Sequence, residues 1–358
     1  MTVHDDRARA VDAAVGDRQL DALLVSRLVD VRWLCGFTGS SAAAIVGPAD
    51  RRFVTDFRYL TQAREQVGEA WSHEIAQKLL EQIAEGLRAP ARLGFDDTDL
   101  TVKDHARLGE LAPEGVERVP AGGVIADLRA IKDAGELARI RAAAALADDA
   151  LTQVLGRGLV GRTEREVALD LEVAMRRRGA QGASFAPIVA AAEHGALPHA
   201  EPRDVAIPAD TLVVIDWGAQ LDGYASDCTR TYATGRLDPE ARAVYDLVER
   251  AQAQALTAVR PGPSGKEIDA VARDVIEAAG HGEHFGHGLG HGVGMEVHEA
   301  PRLSRHASDD PLRAGHVVTI EPGVYVPGRV GVRIEDLVAI TLEGHDVLSS
   351  LPKALQSV

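Results

Sequence analysis

The sequence predicts two domains, a small α/β domain followed by an α+β domain built around an antiparallel sheet. The chain has 358 residues, which is more than one compact core usually serves. Helical and strand-like segments alternate in its first part. Beyond about residue 185, strand-like runs separated by Gly, Pro and Asp turns follow one another, with two helical stretches among them.

The first domain is expected to cover residues 1–127. "DRARAVDAAVGDRQLDALLVS" predicts an amphipathic helix followed by a short strand, and "SAAAIVG" and "RRFVTD" predict two further strands. "FRYLTQAREQV" has a helical period, whereas "ARLGFDD" and "VERVPA" are strand-like. Strands alternating with helices are typical of an α/β domain.

The second domain is expected to cover residues 128–358 and to begin with a long helix over residues 127–155. That segment is rich in Ala, Leu, Arg and Glu and contains no proline. Strands are predicted in "APIVAAA", "TLVVIDWGA", "YASDCTRTYAT", "HVVTIEPGVYV" and "VRIEDLVAIT". Helices are predicted around residues 239–259 and 264–280, on one side of the sheet.

Composition excludes two classes of partner. The net charge is −15 and no cluster of Lys or Arg stands out, so we expect no nucleic-acid binding. No apolar run approaches the ~20 residues of a membrane span, and the first residues lack the apolar core of a secretory signal.

Cys35 and Cys228 are expected to be buried thiols in a reducing cytoplasm, although one disulfide stays an alternative.

The segment "TLVVIDWGAQLDGYASDCTRTYAT" predicts a hairpin that carries two acids. If the strands pair about the midpoint of Leu221 and Asp222, Asp216 lies directly opposite Asp227. Residues opposed in this way share a face of the sheet, with Cβ atoms about 5 Å apart.

The segment "HVVTIEPGVYVPGRVGVRIEDLVAIT" predicts a second hairpin of the same kind. A fold about Gly328 sets Glu321 opposite Glu335. Facing carboxylates in apolar surroundings repel each other, so protons or cations must compensate their charge. For either pair alone the simpler interpretation is an exposed strand face, but two hairpins of the same construction favour a metal site.

His291 completes an oxygen-rich ligand set. Four carboxylates and one imidazole suit hard cations better than the thiolates of a structural zinc site do. A charge of about −4 balances two divalent ions, and paired acids suit ions that share ligands. The chemistry that this set predicts is metal-assisted hydrolysis.

The order and spacing of four sequence blocks resemble a known family. "DWGAQLDGYASDCTRT", "GHGLGHGVGMEVHE", "TIEPGVY" and "GVRIED" are similar to the signature of the metal-dependent Xaa-Pro peptidases, prolidase and aminopeptidase P. "WLCGFTGSSAAAIV" and "FVTDFRYLTQA" resemble the N-terminal domain of the same family. The resemblance implies a creatinase-like α/β N-terminal domain and an α+β pita-bread catalytic domain with a curved antiparallel sheet.

The resemblance also implies roles for individual residues. Glu321 matches a ligand that in addition shuttles the proton of the attacking water. His298 matches a histidine that steadies the scissile carbonyl, and His199 one that lies near the peptide nitrogen of the substrate. The residues that match the five metal ligands are Asp216, Asp227, His291, Glu321 and Glu335.

Two more residues match positions on the substrate side of such sites. His287 matches a histidine that lines the proline pocket, and Arg333 matches an arginine that braces the acidic cluster, although it could also be a plain structural ion pair. His194 has no matched role and is expected to be an ordinary loop residue. The alternating glycines of "GHGLGHGVG" are expected to let the main chain pass close to metal and substrate.

The implied reaction is hydrolysis of the X–Pro bond at a free N-terminus of a proline-containing peptide, by a hydroxide that bridges two divalent ions. Mn²⁺ is expected, and Co²⁺ or Zn²⁺ is allowed. The sequence does not separate a dipeptidase from an aminopeptidase that takes longer peptides. A homodimer is also implied, in which residues 35–41 border the neighbour's site.

Three alternatives compete with this interpretation. Methionine aminopeptidase has the same metal set but normally lacks the N-terminal domain, and creatinase lacks the metal-binding acids. A non-catalytic peptide-binding or scaffold protein on the same fold would be expected to have lost ligands, and all five are present here.

Overall fold

The computed structural model describes residues 2–89 and 91–358, which divide into two units. One unit ends at Arg129, and the other comprises Ala130–Val358. The division falls within a helix that spans Val124–Ala130. The expected domain boundary between residues 127 and 128 lies in the same helix and stays a prediction.

The first unit is a mixed six-stranded sheet with helices, and its strand order is β4-β3-β2-β1-β5-β6. Pairing is antiparallel among β1, β2 and β3 and parallel for the outer pairs. The strands are β1 Ala22–Val25, β2 Ala42–Gly47, β3 Asp50–Thr55, β4 Ser72–Ile75, β5 Ala91–Phe95 and β6 Val116–Pro120. The helices are α1 Val3–Asp17, α2 Leu28–Cys35, α3 Leu60–Gln66, α4 Leu79–Gly86, α5 Val102–Leu111 and α6 Val124–Ala130.

The helix predicted over residues 127–155 is two helices. The second of them, α7, spans Ala134–Leu155. Asp133 accepts a hydrogen bond from the Glu136 N–H, and the Glu136 side chain accepts one from the Asp133 N–H. This reciprocal capping box satisfies backbone donors at the start of α7, so a new helix begins there. Helix α8 spans Glu164–Arg177, and the same device, formed by Thr163 and Glu166, begins it.

The second unit consists of short antiparallel sheets and four long helices. The helices after α8 are α9 Pro239–Ala258 and α10 Gly265–Ala278, close to the predicted ranges. The strands are β7 Gly182–Ala183, β8 Ile188–Ala191, β9 Leu212–Trp217, β10 Ala219–Leu221, β11 Tyr224–Ala225, β12 Cys228–Ala233, β13 Gly290–Gly292, β14 Glu299–Leu303, β15 Val317–Ile320, β16 Gly323–Val326, β17 Val330–Arg333, β18 Asp336–Ile340 and β19 His345–Val347. The sheet orders are β11-β10-β7, β12-β9-β8, β14-β13-β15-β18-β19 and β16-β17.

Each pair of helices packs on its own set of strands. Helices α7 and α8 bury Leu151 and Val167 against Val213 and Ile215 of β9. Helices α9 and α10 bury side chains in a second apolar cluster with strands β14 to β18. Burial of this kind contributes roughly 25 cal/mol per Å² of apolar surface, and it fixes the strands that carry the acidic residues.

The first predicted hairpin has a different register. Asp216 pairs with Thr229, not with Asp227, because the turn is centred between Asp222 and Gly223. Asp222 and Gly223 both have positive φ, at 49° and 82°, which suits a two-residue turn. The predicted pairing was therefore wrong by two residues. Since side chains alternate with a period of two, the error leaves Asp216 and Asp227 on one face.

The second hairpin has the predicted register, with a break at the acids. Ile320 pairs with Asp336 in β15–β18, and Gly323 pairs with Arg333 in β16–β17. Glu321 and Glu335 lie between these two ladders, at equivalent positions in the two chain segments. Their side chains are thus placed where the regular sheet is interrupted.

Both cysteines are free and buried, as expected. Among residues 2–89 and 91–358, we find no helix whose length and apolarity would allow it to cross a membrane.

Candidate metal centre

Three carboxylates converge in the second unit. Asp216, Asp227 and Glu335 each offer one oxygen, and these oxygens lie within 4.8 Å of one another. Asp227 and Glu335 are buried, and Asp216 is partly buried. They come from the two hairpins, so the centre depends on the packing of β12 against the segment between β17 and β18. The Glu335 N–H donates to the Thr229 carbonyl at 3.0 Å and fixes that contact.

His291 joins the fourth acid to this group. Its Nε2 lies 3.2 Å from Oε1 of Glu321 and 3.6 Å from Oδ2 of Asp227. Thr319 supports the arrangement: its hydroxyl donates to Glu321 at 2.9 Å and accepts from the His291 N–H at 3.1 Å. The structure thus brings together all five residues that the sequence singled out as ligands.

The electrostatics of the cluster are unfavourable without a cation. Burial, followed by the charges of Glu335 and Asp216, raises the pKa of Asp227 well above its ordinary value. The pKa of Glu335 is raised well above its ordinary value for the same reasons, chiefly burial and the charge of Glu321. Burial also raises the pKa of Asp216, although Arg333 opposes the shift. Carboxylates in such a place bind protons or metal ions.

Glu321 differs from the other three acids. Burial alone would raise its pKa, but the hydrogen bond and the charge of His291 outweigh burial and lower the pKa to about 2. The same contact raises the pKa of His291 against the effect of its own burial. Glu321 is therefore ionised at neutral pH.

Within the cluster, two buried carboxylate oxygens lack hydrogen-bond partners. They are Oδ1 of Asp216 and Oε1 of Glu335. An unsatisfied buried carboxylate oxygen costs free energy, and native structures seldom leave one without a partner or an ion. Oxygen atoms of this kind suit a hard divalent cation, so the residues present fit a bound metal.

Arg333 lies behind the cluster. Its guanidinium is buried and donates to Asp216 at 2.7 Å, to the Thr229 hydroxyl at 3.1 Å and to the Tyr325 hydroxyl at 2.8 Å. All of its described hydrogen bonds go to protein groups. This geometry matches the bracing role that the sequence suggested for Arg333.

The remaining histidines surround the acids. The ring of His298 stands 4.2 Å from that of His291, centroid to centroid, and keeps an exposed edge. Partial burial and the charge of His291 lower its pKa, so its ring is neutral at pH 7. His287 bonds through Nε2 to the Tyr325 hydroxyl at 3.0 Å, and burial lowers its pKa. His199 is exposed, and its charge acts on both His287 and His298.

Several glycines of residues 286–294 lie directly against the backbone of neighbouring chain segments. A Cβ on Gly290 would lie 2.0 Å from the Thr319 carbonyl oxygen, and one on Gly292 would lie 2.1 Å from that of Ala300. A Cβ on Gly286 would meet nothing within 4 Å. The close neighbours of a Cβ at Gly290 and Gly292 are thus backbone atoms of the protein, and the expectation that the bare main chain passes close to metal and substrate stays a prediction.

Sequence reasoning missed several polar residues that support the site. Thr229, Thr319 and Tyr325 each bond to an acid, a histidine or Arg333. The signal for Thr229 was available, since it occupies the position opposite Asp216 once the turn is placed correctly. His194 was expected to be an ordinary loop residue, but it is buried and bonds to Glu164.

This fold and this acidic centre define a metal-dependent peptidase. The model of metallopeptidase family M24 matches residues 138–342, and that of the creatinase/prolidase N-terminal domain matches residues 7–131. The chain therefore belongs to the Xaa-Pro peptidases of family M24. The expected architecture, a creatinase-like domain followed by a pita-bread catalytic domain, is confirmed.

Similar proteins span the same length. An Xaa-Pro dipeptidase of Pyrococcus horikoshii is 33% identical over 361 residues, covering 99% of this chain and 100% of the relative. The solved Xaa-Pro dipeptidase from Bacillus anthracis has a TM-score of 0.94 at 34% identity and covers 99% of this chain and 100% of its own. An X-Pro aminopeptidase from Thermotoga maritima has a TM-score of 0.88 at 30% identity, with coverage of 97% and 100%.

Proposed function

We propose that this protein hydrolyses the X–Pro bond of dipeptides with a free N-terminus. The observation that carries the proposal is the pair of buried, partnerless oxygens, on Asp216 and Glu335, inside a cluster of four acids and one histidine. The dipeptide preference rests on the similar Xaa-Pro dipeptidases that span the whole chain.

The residues that would hold two divalent ions, with Mn²⁺ proposed first and Co²⁺ or Zn²⁺ as alternatives, are Asp216, Asp227, His291, Glu321 and Glu335. When bound, such ions supply an activated water and polarise the scissile carbonyl. Asp227 and Glu335, whose burial disfavours their charged forms, would be held ionised by them.

The side chains around the acids would carry out the proton transfer and the binding of the substrate. Glu321, the acid that matches the proton shuttle of the family, would accept a proton from the attacking water and pass it toward the proline nitrogen. His298 is neutral, so its ring N–H can donate to the developing oxyanion. His199, at the exposed edge, would approach the peptide nitrogen, and His287 would line the proline side.

Product analysis of Ala-Pro and Ala-Pro-Ala, with Mn²⁺ supplied, tests the substrate. We expect release of proline from Ala-Pro and little turnover of the tripeptide. Turnover of Ala-Pro-Ala alone would identify an aminopeptidase instead. No turnover of either peptide, with metal bound, would favour a binding protein on this fold.

The Asp227→Asn variant tests the metal centre. It removes one charged ligand and should lower both the bound metal and the rate on Ala-Pro, the latter by more than about 100-fold. Metal content measured by elemental analysis and the rate should fall together. The matched control is Asp222→Asn in the turn of the same hairpin, where Asp222 is exposed and Asn tolerates its positive φ. Full activity in Asp227→Asn would contradict the proposed centre.

A homodimer and a cytoplasmic location stay predictions. The two buried, free thiols support a reducing compartment. Sedimentation at assay concentration would test the dimer, and a monomer that is fully active would remove the proposed role of residues 35–41 at a neighbour's site.

A further inference from the structure

One buried carboxylate outside the acidic cluster joins both ends of the segment that carries His199. We name residues 192–202 the His199 loop. Glu164, at the start of α8, is 1% exposed. It accepts a hydrogen bond from the Ala191 N–H at 2.9 Å, just before the loop, and one from the Arg203 N–H at 2.9 Å, just after it.

Glu164 also holds side chains from inside and beyond the loop. Nδ1 of His194 lies 2.9 Å from its Oε2. The Arg203 guanidinium donates to both oxygens, at 3.0 and 3.1 Å. Burial opposes ionisation of Glu164, but these donors outweigh it and lower its pKa. A single carboxylate thus satisfies donors from both ends of a segment of eleven residues, which removes much of the freedom that such a loop would have.

The middle of the loop is linked to the acidic cluster through Arg333. The Pro198 carbonyl accepts from Nη1 of Arg333 at 3.1 Å, and Arg333 in turn binds Asp216. The loop lies directly on strand β17 at Gly331. A side chain would not fit there, because a Cβ on Gly331 would stand 1.8 Å from the Gly195 carbonyl oxygen. His199 directly follows Pro198, so its position relative to the acids depends on these contacts.

We propose that Glu164 is a positioning residue that closes the His199 loop and thereby sets His199 for the reaction. The expected change in kcat rests on the proposed function, whereas the expected change in hydrogen exchange does not. The hydrogen bonds of Glu164 go to Ala191, His194 and Arg203, none of which is a candidate metal ligand. Glu164 acts through the loop, whose ends it fixes while Arg333 fixes its centre.

The Glu164→Gln variant tests the proposal. Gln keeps the shape of the side chain but puts an amide donor where Arg203 and two backbone N–H groups now donate. We expect hydrogen exchange to increase in the peptide covering residues 191–204 and not in β9 or β12. Metal content should stay at the wild-type level. On Ala-Pro, kcat should fall about 10- to 100-fold with a smaller change in KM, as expected when a reacting group is displaced by about 1 Å.

Glu166→Gln is the matched control. Glu166 lies two residues further along the same helix and accepts a hydrogen bond from the Thr163 N–H at 2.8 Å, which caps the helix. It should leave loop exchange and kcat unchanged. Should Glu164→Gln fail to fold, Arg203→Gln removes the ion pair from a half-exposed position and should produce the same pattern in weaker form.

A double-mutant cycle with His199→Ala shows whether Glu164→Gln lowers kcat through His199. If Glu164 acts through His199, adding Glu164→Gln to His199→Ala should change kcat less than about 2-fold. Equal losses in both backgrounds, or unchanged exchange in residues 191–204, would overturn the inference. If the wild-type protein hydrolyses no X–Pro peptide, the proposed function fails, while the exchange experiment still decides whether Glu164 holds the loop.

Discussion

At the scale of single residues, His316 shows how burial lowers the pKa of a histidine. It is 5% exposed, and its Nδ1 accepts a hydrogen bond from the Arg313 N–H at 3.1 Å, which requires a neutral ring. Burial, together with the positive charges of Lys132 and Arg313, lowers its pKa from 6.5 to about 4. Protonation would therefore break a hydrogen bond and place a third positive charge in a buried position.

The stability of the protein should reflect this shift. Between about pH 4 and pH 6.5 the unfolded chain binds a proton at His316 that the folded chain does not, so stability is lost as the pH falls through this window. From pH 7 to pH 5 the loss attributable to His316 should be about 2 kcal/mol. Urea unfolding of His316→Asn, in which Asn can still accept from Arg313, should show a correspondingly smaller decrease.

His306→Asn serves as the control, because His306 is exposed. Its unfolding free energy should follow that of the wild type from pH 7 to pH 5. If His316→Asn retained the full wild-type pH dependence, the titration of His316 would not be the cause.

At the scale of elements, local patterns in the sequence were enough to predict most of the helices and strands that position the site. Helices α9 and α10 and the strand pairs that carry the acids followed from periodicity and turn residues in the sequence. The break before α7 was missed, although Asp133 and Glu136 form a capping box that is visible in "DAGE". The two-residue register error had little effect on the site, because it preserved the face on which Asp216 and Asp227 lie.

What the sequence could not provide was the neighbour of each residue in space. The need for glycine at position 290 arises from Thr319, which lies far away along the chain on β15. The role of Glu164 depends on Ala191, His194 and Arg203, which no local pattern links to it. The five residues of the acidic centre were found because hairpin geometry and family resemblance both pointed to them.

Gly290→Ala tests the packing argument for β13. The added Cβ would lie 2.0 Å from the Thr319 carbonyl oxygen, so the strand must shift, and His291 must move with it. We expect the free energy of unfolding to fall by about 3 kcal/mol and the affinity for metal to fall as well. Urea unfolding and metal titration are the measurements.

Gly286→Ala is the matched control from the same run of glycines. Its Cβ would meet nothing within 4 Å, and Gly286 is exposed. The change in unfolding free energy should stay within about 0.5 kcal/mol. Equal destabilisation by the two substitutions would mean that glycine is needed in this stretch for chain flexibility and not for contact with β15.

At the scale of the whole molecule, the buried acids couple metal binding to folding. Without cations, burial of Asp227 and Glu335 costs free energy that their raised pKa values express. A cation that binds only the folded chain removes this cost and adds its own binding free energy. The coupling should be confined to the unit Ala130–Val358, since all of the candidate ligands belong to it.

Trp217 allows that unit to be followed separately. It is fully buried in β9 beside Asp216, and the chain has two other tryptophans, Trp33 and Trp71, in the first unit. With Trp33 and Trp71 changed to Phe, thermal unfolding monitored by tryptophan fluorescence reports on Trp217 alone. Each ion held at a hundred times its Kd should stabilise the unit by about 2.7 kcal/mol, so Mn²⁺ should raise the Tm by several degrees and a chelator should reverse the change.

Glu335→Gln, made in the same background, should lose most of this response. Its metal-free form should be at least as stable as the metal-free parent, because removing a buried negative charge relieves the repulsion among the acids. Glu343→Gln, at an exposed position, should respond to Mn²⁺ as the parent does. An equal rise in Tm for Glu335→Gln and the parent would place the bound metal elsewhere, and the acidic cluster would then need another explanation.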